Sequence, residues 1–176
     1  MSCETVTEIT SSLILAQQEY DGIGGAPRES FPKVRIRRYC AGMSDENVAA
    51  FRRGIDASNR GDVEALLNEL DPDIEWHSAM HALLGGEETV FRGHDGVRTL
   101  FRDVQESFSE LHFEATEIED LGDRVLVIGR TRVRGKTSGA VTVTPIALVT
   151  EVRNGKARLL RTYRDADEAR EAAGLR

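Results

Sequence analysis

Residues 59–77, NRGDVEALLNELDPDIEWH, contain the local signals on which the fold depends. Gly61 is placed to end one helix in the left-handed conformation, and Asp62 is placed to cap the next helix. The apolar residues that follow have helical spacing: Val63, Leu66, Leu67 and Leu70. Asp71-Pro72-Asp73 predicts the end of that helix, because proline lacks the amide proton that a helix interior uses. Ile74–His77 then predicts a short strand.

One helix is predicted before this stretch, and a loop, a short strand and a further helix are predicted after it. Ser44 is the candidate N-cap of a first helix, which carries Val48, Phe51 and Ile55 at helical spacing. Residues 78–88 predict a loop and 89–92 a short strand. A third helix is expected to begin near His94 or Asp95, with one apolar stripe: Val97, Leu100, Phe101, Val104 and Phe108.

The second half of the chain predicts four antiparallel strands, at residues 111–120, 125–134, 140–153 and 156–163. Asn154-Gly155 is a strong hairpin signal between the last two strands. Asp165 is placed to cap a terminal helix that ends at Gly174. Helices grouped before a run of antiparallel strands predict an α+β fold in which the helices cover one face of the sheet.

Composition excludes several classes of protein. The 176 residues suit one domain, and 23 Lys plus Arg against 30 Asp plus Glu give a net charge of −7. Nucleic acid and anionic membrane surfaces are therefore not the expected partners, since both select clustered basic residues. Cys3 and Cys40 cannot form a disulfide framework, no CxxC motif is present, and no apolar run reaches the ~18 residues of a membrane-spanning helix. A cytoplasmic location is expected.

The first 42 residues differ from the rest. They hold five acidic and five basic residues, so residues 43–176 carry the whole net charge of −7. A turn-rich stretch is followed by the basic run KVRIRR at residues 33–38, which is able to contact a phosphate or an acidic partner. The expected structure is a solvated, disordered N-terminal extension, with the folded domain at residues 43–176 and Met43 as an alternative start.

Several motifs in a fixed order resemble one family. The helix–NRGD–helix unit is followed by LDPDIEWH at 70–77, FRGHDGVR at 91–98, NGK at 154–156 and YRD at 163–165. Together, over about residues 44–174, they resemble the SnoaL-like branch of the nuclear transport factor 2-like superfamily, to which polyketide cyclases, steroid isomerases, epoxide hydrolases and dehydratases belong. The resemblance implies a strongly curved antiparallel sheet wrapped around the N-terminal helices as a cone. It also implies an apolar pocket for a small apolar ligand, no cofactor, and a homodimer formed through the outer sheet face.

The resemblance does not choose a reaction, because one fold hosts many chemistries. Alignment through the NRGD motif puts His77 where the steroid isomerases have their general-base aspartate. Their oxyanion tyrosine falls at Gly54, and their protonated aspartate falls near Ala147. Two of the three isomerase groups are therefore missing, and isomerase activity of that type is not expected.

His77 is the best single candidate for chemistry. Histidine titrates near neutral pH, so it is able to move a proton next to a carbonyl or a leaving oxygen. Glu75 lies two residues earlier on the same strand face and could orient the ring. Contact with a ligand without chemistry, or a hydrogen bond at a strand edge, are the alternatives for His77.

Three further residues are candidates for the pocket: Trp76, His81 and Tyr163. Trp76 alternates with His77 on the strand, so it could also pack in the core under the helices or at a subunit interface, with the core as the default. His81 and Tyr163 are candidate ligand contacts, although Thr162 or Arg164 could face inward instead of Tyr163. The His77–His81 spacing suits a metal only on a helix, so no metal is expected.

Two functional classes follow. The first is a cofactor-independent enzyme of the isomerase, cyclase or lyase type that acts on a carbonyl compound, with His77 as acid and base. The second is a non-catalytic ligand-binding or homodimeric interaction module. Convergence of His77, Glu75 and a third polar group in one closed pocket would favour the enzyme.

Overall fold

The computed structural model describes residues 34–38, 45–79 and 89–175. Four helices are present: α1 (Asp45–Asn59), α2 (Val63–Leu67), α3 (Gly93–Ser107) and α4 (Ala166–Ala172). Seven strands are present: β1 (Arg35–Arg38), β2 (Leu70–Ser78), β3 (Thr89–Arg92), β4 (Phe108–Asp120), β5 (Arg124–Gly135), β6 (Val141–Arg153) and β7 (Lys156–Tyr163). Within the described residues, no helix has both the length and the apolar character to cross a membrane.

The strands form one curved sheet in the order β1-β4-β5-β6-β7-β2-β3. The four long strands β4 to β7 pair antiparallel in sequence order, as predicted. Two pairings are parallel, β1 with β4 and β2 with β7. The α+β fold class is confirmed, with a mixed rather than a purely antiparallel sheet.

The helix–turn–helix signals of residues 59–77 are confirmed. Gly61 has a φ of +68°, and the Asp62 carboxylate accepts a hydrogen bond from the Ala65 amide at 3.0 Å. The strand β2, however, begins at Leu70 rather than at Ile74. Its pairing with β7 shifts register between Leu70 and Glu75, so Pro72 lies where the regular ladder is interrupted and no amide proton is required of it.

The prediction that residues 1–42 lie wholly outside the fold is wrong for residues 35–38, which form β1 at the edge of the sheet. Ile36 and the preceding Val34 pack against the core cluster that contains Ile118 and Val125. This apolar contact attaches the segment to the core, although its charged residues alone would favour solvent. The rest of that segment, residues 1–33 and 39–42, lies outside the described residues.

The two faces of the sheet have different partners. The inner face, to which Trp76, Leu148 and Leu160 belong, packs against the helices α1 to α3. The outer face carries Leu126, Ala147 and Val149 under α4. The helices therefore do not all cover one face as predicted, because α4 presents Ala169 and Ala173, small enough for close packing, to the opposite side.

Candidate ligand-binding cavity

A cavity lies between α1, α3 and the inner face of the sheet. About 140 Å³ of it is open to the centre of a water molecule, whereas one water needs ~10–15 Å³ by that measure. Its lining is mainly apolar: Ala50, Phe51, Gly54, Ile55, Leu66, Leu70, Trp76, Leu100, Phe101, Val104, Leu111, Phe113, Ile146, Leu148, Val152, Gly155, Ala157 and Leu160. The polar lining residues are fewer: Asn47, Ser58, Glu69, Ser78, Thr131 and Thr162.

Aromatic rings shape one wall of the cavity. Trp76 from β2 and Phe101 from α3 meet edge to face, with ring centroids 6.3 Å apart and an interplanar angle of 74°. This is a favourable geometry for two aromatic side chains. The wall joins a strand to a helix and presents flat apolar surface to whatever occupies the space.

Phe113, another aromatic residue of the lining, is positioned by Asn59, the last residue of α1. The Asn59 amide donates to the Phe113 carbonyl oxygen at 2.8 Å, and its carbonyl oxygen accepts from the Phe113 amide at 2.7 Å. These bonds tie the end of α1 to β4 and hold Phe113 against the cavity. The sequence indicated only a helix end at the NRGD motif. The sequence could not predict that the Asn59 side chain bonds both the amide and the carbonyl of Phe113, because the two residues are distant in the chain.

Hydroxyl groups mark the end of the cavity where β2 and β7 finish. These strands are parallel, with Trp76 beside Leu160, so Ser78 and Thr162 are neighbours on the inner face. Ser78 is 4% exposed. On β5, Thr131 is 4% exposed and also lines the cavity. The sequence analysis missed Ser78 and Thr131, although period-two alternation through Trp76 contained the signal for Ser78.

Glu69 is the only titratable side chain among the described residues that line the cavity. Its two carboxylate oxygens accept from Arg53 Nε at 2.8 Å and from Arg53 Nη2 at 2.9 Å. This hydrogen bond raises the pKa of the Arg53 guanidinium. The bidentate pair satisfies the carboxylate at the cavity wall, so the described lining presents no uncompensated charge.

His77 and Glu75 do not line the cavity. Along β2, Ile74, Trp76 and Ser78 face inward, which places Glu75 and His77 on the outer face. The expected pairing is present, since His77 Nε2 lies 3.7 Å from Glu75 Oε2. Both side chains could have pointed into the cone, but the apolar alternation of Ile74 and Trp76 gives the strand the opposite orientation.

The other predicted site residues divide similarly. Trp76 lines the cavity and also packs against the core cluster under the helices. Tyr163 lies on the outer face, in a groove with Arg161 and Ala172, and Thr162 takes the inward position. His81 lies outside the described residues. Within the described residues, no group of three or more His, Cys, Asp or Glu side chains is arranged to hold a metal.

Gly54 and Ala147, the positions aligned with the steroid isomerase tyrosine and protonated aspartate, lie on different sides of the sheet. Gly54 lines the cavity from α1, where it leaves open space instead of a tyrosine. Ala147 is 1% exposed and packs with Ala169 of α4 on the outer face. The cavity therefore lacks an acid, a base and an oxyanion donor at all three aligned positions.

A curved sheet closed by helices over one apolar cavity defines a cone fold of the nuclear transport factor 2-like type. Residues 51–159 match the model of the SnoaL-like domain, and the chain belongs to that family. No curated protein matches the chain.

Solved structures of the same fold cover most of the chain. An NTF2-like protein of unknown function from Burkholderia pseudomallei has 26% identity and a TM-score of 0.63, over 73% of this chain and 97% of that one. An NTF2-like protein from Burkholderia xenovorans has 29% identity and a TM-score of 0.58, over 74% of this chain and 98% of that one. TerC, co-crystallised with polyporic acid, has 23% identity and a TM-score of 0.62, over 72% of this chain and 96% of that one.

Proposed function

We propose that this protein binds a small, uncharged, mainly apolar molecule in the cavity between α1, α3 and the inner sheet face. The observation that carries the proposal is the lining, which among the described residues is mainly apolar, with hydroxyls, the Asn47 amide and one ion-paired carboxylate as its polar groups. The open volume of about 140 Å³ corresponds to roughly ten waters, or ~300 Å³ of liquid. That size lies at the lower end of the range for small-molecule pockets.

The charge of the ligand follows from what lines the cavity. A bound carboxylate would leave water without meeting a cation among the described lining residues, and Arg53, which contacts Glu69 from α1, is already paired with it. Burying an unpaired charge costs several kcal/mol or more. A carbonyl or hydroxyl group, by contrast, is able to bond with Ser78, Thr131 or Thr162 while its apolar body meets Trp76.

Fluorescence tests the proposal directly, since Trp76 is the only tryptophan of the chain and lines the cavity. Titration with uncharged N-phenyl-1-naphthylamine is expected to quench Trp76 and to increase the emission of the probe. Gly54→Phe, which places a ring in the cavity, should abolish both changes. Arg52→Phe puts the same ring on the exposed side of α1 and should leave them intact. Equal binding to all three proteins would refute binding in the cavity.

An acid–base reaction at His77 is a second candidate, favoured by the 3.7 Å contact with Glu75. We propose it for a substrate that reaches the outer face, because His77 does not line the cavity. His77→Ala should then abolish turnover of a carbonyl substrate and leave binding of the naphthylamine probe unchanged. Loss of probe binding in His77→Ala, with the fold retained, would contradict this separation of the two faces.

A homodimer through the outer face is part of the proposal. Val141 and Val143 on β6 are 43% and 55% exposed. They pair in register with Arg134 and Arg132, whose guanidinium groups contact Glu110, so apolar and charged surface lie side by side on the outer face. Light scattering should give a dimer mass that Val143→Asp converts to a monomer mass. Arg52→Ala, on α1, is the control and should remain dimeric.

We also propose that the protein acts in the cytoplasm. Fractionation of cells that express residues 1–176 tests this location, and recovery outside the cytoplasm would contradict it.

A further inference from the structure

The basic run at residues 33–38 has no part in the cavity, yet part of it lies along the acidic end of β4. In the parallel pairing of β1 with β4, each basic residue lies beside an acidic one, and an isoleucine lies beside an isoleucine. The pairs are Arg35 with Glu117, Ile36 with Ile118, Arg37 with Glu119, and Arg38 with Asp120. The segment RIRR is therefore complementary to EIED position by position.

The isoleucine pair provides the apolar part of this match. Ile118 is 1% exposed, and Ile36 packs against the same cluster together with Val34. A basic segment without an apolar residue at this position would lose the contact that places it against the core. The edge of β4 is therefore selective for a pattern and not only for charge.

The carboxylates at this edge of β4 are largely buried. Glu119 is fully buried and Glu117 is 15% exposed in its side chain, and both contact Arg170 of α4. Oε2 of Glu119 is buried without a hydrogen-bond partner. A buried carboxylate oxygen without a hydrogen-bond partner favours further positive charge nearby. The register of β1 places a basic residue beside each of Glu117, Glu119 and Asp120.

We propose that the edge of β4 at residues 117–120 is a binding site for a basic extended strand. Residues 35–38 occupy it within the chain, and the same segment of a second copy is able to replace them. Backbone pairing of an added strand is largely independent of sequence, so the charges and the isoleucine give the specificity. A second copy is the partner because it carries the matching segment, and exchange of an identical element is a low-cost route to association.

A labelled peptide of residues 33–38 tests the site on the full-length chain. Arg35→Glu with Arg37→Glu weakens the resident strand, so this variant should bind the peptide about tenfold more tightly than the wild type does in fluorescence anisotropy. Adding Glu117→Lys should reverse that gain. The same peptide with Ile36→Gly keeps its charge and should bind about tenfold more weakly.

The Ile36→Gly peptide is the control for non-specific electrostatic attraction, because it has the same charge as the native peptide. If the Ile36→Gly peptide binds as tightly as the native peptide, simple attraction to a chain of net charge −7 explains the binding and the proposal is overturned. Because Glu117 also contacts Arg170, the Glu117→Lys chain is checked by Trp76 emission and thermal unfolding. Glu117→Gln replaces it if the fold is lost, with a smaller loss of affinity expected.

Exchange between chains is tested by capture of full-length proteins. A tagged Glu117→Lys chain has an intact basic strand, and an untagged chain with Arg35→Glu and Arg37→Glu has an intact edge. With Val143→Asp in every chain to remove association through the outer face, the first should capture at least about tenfold more of the second than a tagged Arg35→Glu, Arg37→Glu chain does. That control bait keeps every other surface, including the outer sheet face. Equal capture by both baits would overturn exchange with a second copy.

Discussion

Gly54→Ala should stabilise the protein, because Gly54 lies inside α1 and borders empty space. A Cβ atom at this position would meet Leu66 Cδ1 at 3.5 Å, which is an ordinary van der Waals contact. Replacing glycine by alanine within a helix gains ~0.5–1 kcal/mol. Burying one methyl group in the cavity gains a further ~0.8 kcal/mol. The free energy of unfolding should therefore rise by about 1.5 kcal/mol, which corresponds to a rise in Tm of about 3 to 6 °C for a chain of this length.

Urea unfolding followed by Trp76 emission measures this change, and calorimetry gives the Tm. Gly96→Ala is the matched control, since Gly96 also lies in a helix, α3, but its Cβ would lie 3.0 Å from the Phe91 carbonyl carbon. The same substitution should therefore destabilise the protein at Gly96. A loss of stability in Gly54→Ala would show that the space beside α1 is not open, and the cavity argument would fail with it.

Two further predictions concern side chains that hold the cone together. Asn59→Ala removes both hydrogen bonds to the Phe113 backbone and should cost about 2 kcal/mol of unfolding free energy, with Asn59→Asp intermediate; a change within error in urea unfolding would contradict this. The Asp73 amide and the Arg153 guanidinium hold the pKa of the Asp71 carboxyl below its usual value. A depressed folded-state pKa stabilises the protein at neutral pH, and this stabilisation is lost as the pH falls through that pKa. The urea midpoint of Asp71→Asn should therefore lie below that of the wild type at pH 7, and the difference should shrink toward pH ~3; a difference that is constant with pH would contradict it.

The sequence predicted the elements whose signals are local. Gly61 and Asp62 end one helix and begin the next because backbone strain and capping act within a few residues. The hairpin at Asn154-Gly155 formed for the same reason, with φ values of +53° and +74°. The strand β1 was missed because its pairing partner lies about 80 residues away in the chain. No periodicity within RIRR reports a complementary strand at that distance.

The site was predicted less well than the fold, because tertiary packing decides which face of a strand is covered by the helices. Alternation along β2 predicts that Trp76 and His77 lie on opposite faces of the sheet. It does not predict which of the two faces the helices cover. The alignment to the isomerases placed weight on His77, whereas burial of Ile74 and Trp76 in the helix-facing cluster decided the orientation. Had the apolar residues of β2 been weighted above the aligned histidine, Ser78 would have been predicted in the cavity in place of His77.

The separation of Trp76 from His77 has a consequence for any enzyme assay. A ligand against Trp76 is on the other side of β2 from the His77 ring, and one strand of backbone lies between them. No proton passes directly from such a ligand to His77, because general acid–base catalysis requires hydrogen-bond reach, ~2.6–3.2 Å or one intervening water. Among the described residues, turnover of a cavity-bound substrate would therefore have to use the polar lining groups, which include Ser78, Thr131, Thr162 and the Glu69 carboxylate. Retention of such turnover in His77→Ala, together with its loss in Glu69→Gln, would identify Glu69, the one titratable side chain of the described lining, as the acid or base.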